Sequence, residues 1–204
     1  MKIENLSPGG LAANCYLVSK GRDAVLIDPT ATVIRVRSAL QEKGLALHAI
    51  LLTHGHFDHI LTAEKLRDEL GAPLLVHEAD NEMLNNGEKN ASFPFFGRDI
   101  CCRPAERLLK NRESLTFGSL SFSVMHTPGH TKGSVIYFTE GAAFTGDTLF
   151  ADGYGRTDLY GGDTADMYRS LKDLAGLQED IRIYPGHGED TQLFRAISFL
   201  KKQY

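Results

Sequence analysis

The chain has 204 residues, 42% hydrophobic and 24% charged, enough for a globular unit with its own core, and it is expected to form a single domain over residues 1–204. A formal net charge of -4 and no long basic run exclude the electrostatic footprint of a general nucleic-acid binder. No apolar stretch approaches the ~18 residues of a membrane span, and MKIENLSPGGLAANCYLVSK lacks the apolar region of a secretory signal, so the expected location is the cytoplasm, with no membrane partner.

In chain order, residues 15–18 and 24–27 read as strands joined by the hairpin turn Lys20-Gly21-Arg22-Asp23. Residues 31–43 carry helical spacing closed by Gly44, and residues 49–52 form a strand. A helix is expected over 58–70, stopped by Gly71 and Pro73, then a strand at 74–76 and a short helix from about Glu78. Residues 85–104 show no period, and a long irregular loop in a compact domain is often a functional lid. Strands follow at 114–117, 120–125, 135–138 and 142–144, then a Gly- and Asp-rich loop over 147–163. Helix 164–175, strand 181–184 and helix 190–202 complete the chain. Strands in both halves, each half followed by helices, suggest two sheets face to face with helices outside. The three cysteines read as small buried hydrophobes rather than a disulfide framework.

The stretch LLTHGHFDHI, residues 51–60, ends an apolar strand in three histidines and an aspartate: His54, His56, Asp58 and His59. Imidazole nitrogen and carboxylate oxygen are both zinc ligands, and a turn loosened by Gly55 can aim several of them inward. Three later stretches repeat the arrangement. His130 in HTPGHTKGS, Asp147 in FTGDTLF and His187 in IYPGHGED each stand beside glycine, just past an apolar strand. Seven such groups are too many for one tetrahedral ion, so two divalent metals are expected, with Asp147 the most plausible shared carboxylate. Zinc is the first expectation, and the same donor set accepts iron or manganese. With two aspartates and a bridging hydroxide, the site carries about one net positive charge, which favours an anionic substrate or oxyanion. The chain has no G-x-S-x-G elbow, no Walker A loop and no complete dinucleotide fingerprint. Hydroxide on the metals is therefore the expected nucleophile.

THGHFDH, HTPGHTKGS, GDTLF, GRTDLYGGD and YPGHG together resemble the metallo-β-lactamase superfamily, from about Asn14 to Gly188. The resemblance implies an αββα four-layer sandwich of the α/β (α+β) class with a dinuclear site at one edge. It implies His54, His56 and His130 on one metal, Asp58, His59 and His187 on the other, and Asp147 bridging, with His54, Asp58 and Asp147 at the centre of catalysis. GRTDLYGGD and the bridging-type aspartate are similar to the glyoxalase II branch, which hydrolyses glutathione thioesters. A small-molecule thioester is therefore the expected substrate. The chain ends soon after His187, whereas full-length glyoxalase II continues into a helical domain that contacts glutathione, so the resemblance is to the short bacterial glyoxalase II-like hydrolases. A persulfide dioxygenase with one iron shares the motifs, but its last motif reads more like PAHDY than the PGHG found here. Hydrolysis of another ester, a lactone or a phosphodiester is a further alternative on the same site.

Arg156 either binds a substrate carboxylate, which suits a guanidinium fork, or pairs with Asp158 or Asp163 to hold its loop. Tyr154 and Phe150 either line the pocket or pack beneath that loop. Phe93, Phe95 and Phe96 form either an apolar substrate wall or the small core of the 85–104 loop. His126 fits none of the seven positions and is expected to support or pack, and His48 and His77 are expected to be structural or exposed.

Overall fold

The computed structural model describes residues 1–7, 9–10 and 12–203. Its elements run β1 (Lys2–Asn5), β2 (Tyr16–Lys20), β3 (Asp23–Ile27), α1 (Val33–Glu42), β4 (Ala46–Leu51), α2 (Ala63–Leu70), β5 (Leu74–His77), α3 (Ser92–Phe96) and β6 (Arg107–Leu109). Then follow β7 (Ser114–Phe117), β8 (Leu120–His126), β9 (Val135–Thr139), β10 (Ala142–Gly146), α4 (Thr164–Ala175), β11 (Arg182–Pro185), β12 (Thr191–Gln192) and α5 (Leu193–Gln203). Two six-stranded mixed sheets result, ordered β1-β2-β3-β4-β5-β6 and β12-β11-β10-β9-β8-β7.

Side-chain alternation along the strands generates the layers. In β3, Val25 and Ile27 point into the core between the sheets, while Ala24 and Leu26 point into a second core that holds Val36, Leu40 and Leu66 of α1 and α2. In β9, Val135 and Tyr137 face the central core, and Ile136 faces a third core with Met167, Leu171 and Ile197 of α4 and α5. Three cores separate four layers, so the architecture is α/β, an αββα sandwich. Thr32 and Asp163 cap α1 and α4, their side chains accepting from the backbone N–H groups of Arg35 and Asp166.

Several elements differ from sequence expectation. The helix expected over 58–70 begins only at Ala63, preceded by a short 3-10 turn at Phe57–His59. Its first backbone donors are taken by tertiary partners: Phe57 N–H donates to Asn90 O at 3.0 Å and Thr62 N–H to Pro29 O at 3.0 Å. Asp58 and His59 are thereby held in the 3-10 turn, outside the α-helix. The 85–104 segment contains α3, so it is not irregular throughout. Helix α5 starts after a two-residue strand rather than at residue 190. Strands β1, β6 and β12 carry no apolar alternation; β1 reads KIEN and is mostly exposed, and its backbone pairing with β2 defines it.

Candidate metal centre

Four strand ends build the site. β4 exits through Leu52 into Thr53–His56, β8 leads to His130, β10 to Asp147 and β11 to His187. Three backbone donors along the first loop are anchored on different neighbours: Thr53 N–H donates to Asp28 Oδ1 at 2.8 Å, Gly55 N–H to Asp80 Oδ2 at 2.9 Å and Phe57 N–H to Asn90 O at 3.0 Å. A buried loop with its donors satisfied can hold side chains in fixed directions.

All seven expected residues converge. Ligand-type atoms lie within 4.8 Å of one another in three overlapping triads: His54, His56 and His130; His54, His59 and Asp147; Asp58, His59 and His187. Asp147 stands between the outer two, with Oδ1 3.4 Å from His59 Nε2 and Oδ2 3.5 Å from His130 Nε2 and 3.7 Å from His187 Nε2. His187 Nε2 lies 3.1 Å from Asp58 Oδ2, and His56 Nδ1 lies 2.9 Å from His130 Nε2. The glycines leave no spare room. A Cβ on Gly186 would meet Asp147 Oδ1 at 2.2 Å and His59 Cε1 at 2.7 Å, and one on Gly155 would meet the Asp147 carbonyl oxygen at 2.1 Å.

Outer partners set the ring orientations. His130 Nδ1 donates to the Arg156 carbonyl at 2.7 Å, so its Nε2 presents a lone pair inward. The Thr53 hydroxyl donates to Asp28 Oδ2 at 2.7 Å and stands 3.2 Å from His54 Nδ1, leaving His54 Nε2 toward the cluster. Asp28 Oδ2 also faces His59 Nδ1 at 2.9 Å. Asp28 is buried and adopts φ 51, a left-handed conformation that Asp tolerates better than most residues.

The donor set fits metal ions. His54 Nε2, His56 Nε2, His59 Nε2 and Asp147 Oδ1 are buried without a hydrogen-bond partner, a costly arrangement for a purely structural cluster. Burial drives His54 well below the ordinary histidine range and His56 down to about 3, so both are neutral and their lone pairs are free. Burial opposes charge on His59 as well, but Asp28 and Asp147 hold it well above its usual value. The hydrogen bond to Asp58 raises His187. Burial alone would raise Asp147 and Asp58; cationic His59 lowers Asp147, and the His187 hydrogen bond lowers Asp58. Protons on His59 and His187 thus do between the carboxylates what a cation would do. The sequence-based charge count omits Asp28, whose carboxylate stands 2.9 Å from His59 Nδ1 and adds a further acidic group beside the cluster.

The cleft over this cluster has a volume of about 320 Å³ and reaches His56, Asp58, His130, Asp147 and His187. Arg156 lines it, yet its Nε and Nη2 pair with Asp158 Oδ1 and Oδ2 at 2.6 and 2.8 Å, while Asp163 caps α4. Tyr154 takes the packing alternative: it packs against the third core and lines a groove with Tyr168 and Leu171, and it is not among the residues lining the cleft. Phe150 stands edge-on to His187 at 6.3 Å but is not among the cleft walls. His126 stacks on His77 at 4.1 Å and His48 bonds Asp23, both outside the cluster.

Sequence reasoning missed two carboxylates. Asp28 follows an apolar strand, as Asp147 does, but lacks the neighbouring glycine that completed that signal. Asp80 carries no such signal. It is fully buried and accepts from Gly55 N–H, from the Thr131 hydroxyl at 2.7 Å and from Gly133 N–H at 2.7 Å, tying the His54–His59 loop to the His130 loop.

Fold and site together define a metal-dependent hydrolase of the αββα class. A sequence profile of the metallo-beta-lactamase superfamily matches residues 8–187, and the chain belongs to that superfamily. It is 33% identical to the probable metallo-hydrolase YqgX of Bacillus subtilis, over 95% of this chain and 93% of that protein. It is 32% identical to the hydroxyacylglutathione hydrolase GloC of Haemophilus influenzae, over 95% and 93%. Among solved structures, the BLEG-1 B3 metallo-beta-lactamase superposes with a TM-score of 0.90 at 36% identity, covering 97% of each chain. TTHA1623 in a di-iron-bound form superposes at 0.83 and 35% identity, covering 94% of this chain and 96% of that one. No helix among the described residues is long and apolar enough to cross a membrane.

Proposed function

We propose that this metallo-hydrolase is a glyoxalase II-type thioester hydrolase with two divalent ions, zinc in the first instance. The observation that carries the reading is the set of three overlapping triads around Asp147. In this reading His54, His56 and His130 hold one ion, Asp58, His59 and His187 hold the second, and Asp147 is shared. Bound divalent ions supply Lewis acidity, bringing a water's pKa toward neutrality and polarising a carbonyl.

The chain's own residues orient and enclose. Among the described residues lining the cleft there is no hydroxyl, thiol or amine side chain, and in this reading the nucleophile is water. Burial pushes the Cys15 thiol up to about 11 and the Cys102 thiol up to about 12, and neither lines the cleft. Thr53, Asp28 and the Arg156 carbonyl fix three imidazole rings. Asp58 and His187 are the more exposed of the seven, with side chains 18% and 36% accessible, so the substrate meets their side of the cluster first. Asp58 Oδ2, facing His187 Nε2, is placed to take up a proton. The net reaction adds water across the C–S bond, giving a carboxylic acid and a thiol. Similarity to the H. influenzae hydroxyacylglutathione hydrolase supports the thioester class.

Elemental analysis of protein purified without added metal, followed by a thioester panel with a β-lactam run beside it, tests the reading. Close to two ions per chain are expected, and Asp58→Ala should retain about one and lose most activity. A single iron with oxygen consumption on a persulfide, or a β-lactam turned over faster than every thioester, would overturn it.

A further inference from the structure

Three phenylalanines on one five-residue helix stand about half exposed: Phe93 at 46%, Phe95 at 54% and Phe96 at 47%. Such a cluster is costly in water unless it has a use. Phe95 and Phe96 turn toward the metal cleft and line it, whereas Phe93 does not. Their rings lie 6.1 and 5.2 Å from that of Phe57, which sits between His56 and Asp58 in the ligand loop. Ala91 and Leu159 extend the same apolar lining.

The wall is rigidly mounted. Asn90 is fully buried; its carbonyl accepts from Phe57 N–H, its side-chain NH₂ donates to Ile100 O at 2.9 Å, and its Oδ1 accepts from Ser92 N–H at 3.0 Å. The Ser92 hydroxyl accepts from Ile100 N–H at 2.9 Å. Ala91 is held at φ 69, a left-handed conformation that non-glycine residues rarely adopt. Buried hydrogen bonds thus fix a strained turn that presents two rings beside the metal ligands. The cleft offers little to a charged substrate. Among the described residues lining it, Arg156 is the one guanidinium or ammonium group, and Asp158 occupies its fork.

We propose that Phe57, Phe95 and Phe96 form an apolar subsite that selects thioesters carrying an aliphatic or aromatic group next to the scissile carbonyl. The assignment rests on the hydrolase reading above and narrows it, because a multiply charged tripeptide thiol finds no matching charges on this wall. The apolar group can belong to the acyl side or to the thiol side, and two substrate series separate these sources.

The first series is acetyl, butanoyl, hexanoyl and benzoyl thioesters of N-acetylcysteamine; the second is acetyl thioesters of ethanethiol, hexanethiol and thiophenol. The zinc-loaded full-length enzyme is used throughout. Along one series kcat/KM should rise about two- to fourfold per buried methylene. Phe95→Ala and Phe96→Ala should flatten that slope, Phe95→Leu should keep part of it, and metal content and melting temperature should stay as in the parent. Phe93→Ala should leave both rate and slope unchanged. Calorimetric binding of acetate and hexanoate gives a readout independent of turnover. Hexanoate should bind at least tenfold more tightly, and Phe95→Ala should remove the difference. Thioesters hydrolysed with flat slopes in both series would overturn the subsite and leave the hydrolase reading intact. Slopes that survive both alanine variants would also overturn it. No thioester turnover with Phe95-dependent hexanoate binding would uphold the subsite while the hydrolase reading fails.

Discussion

Asp28→Asn isolates the effect of a single buried carboxylate that lies behind the ligands. Asp28 Oδ2 takes the Thr53 hydroxyl at 2.7 Å and faces His59 Nδ1 at 2.9 Å, while Oδ1 takes Thr53 N–H at 2.8 Å. Asparagine is nearly isosteric and tolerates the left-handed backbone at φ 51, so neither volume nor strain changes. The amide Oδ1 keeps the Thr53 backbone bond. The amide NH₂ then points at the Thr53 hydroxyl, which was donating, and at His59 Nδ1, which faced a carboxylate oxygen at 2.9 Å. Thr53 can reverse its hydroxyl, but His59 can follow only by moving its proton to Nε2, the atom nearest Asp147. The ring would then present N–H where a metal needs a lone pair. Loss of such an outer partner costs about 10- to 100-fold in metal affinity, or about 1.4–2.7 kcal/mol. Competition against a calibrated chelator measures this directly. The affinity of one ion should fall within that range, with the second ion affected less. A parent-like affinity at both sites, in a variant that melts cooperatively, would refute the tautomer argument.

Asp80→Ala should cost about 3 kcal/mol or more in urea unfolding, because the donors of Gly55, Thr131 and Gly133 lose a common buried acceptor. Gly186→Ala forces a methyl group onto Asp147 Oδ1 and His59 Cε1, and should reduce bound metal and lower stability by about 1–3 kcal/mol, read by elemental analysis and thermal melting. Burial and the neighbouring His126 hold His77 at about 4 against an ordinary 6.5, so its neutral form is favoured by folding. Its stabilising contribution is complete above pH 6.5 and is lost as pH falls toward 4. His77→Gln should flatten that part of the stability–pH profile of the metal-free protein, and an unchanged profile would show that the stacked pair carries no such linkage.

The ligand-type residues were legible because each strand exit repeats one local pattern: apolar run, glycine, then histidine or aspartate. Asp28 follows the apolar run of β3 without the glycine, and aspartate before proline also reads as a turn, so it escaped. Alternation in β3 and β9 likewise contained the layers, since consecutive residues must serve opposite faces. The helix boundary at Ala63, the polar edge strands and the position of Tyr154 were not legible. Each is decided by a partner distant in the chain: Asn90 and Pro29 for the 57–62 segment, β2 for β1, and the α4–α5 core for Tyr154. Arg156 and Asp80 make the distinction plainest. A sequence can say that an arginine or an aspartate is present, and periodicity can place it on a loop. Whether its charge faces substrate, a neighbour two residues away or three buried donors depends on which surfaces the packed sheets bring together. For this protein the donor chemistry was therefore written locally, while the enclosed charge and the aromatic wall over the cleft exist only in the folded chain.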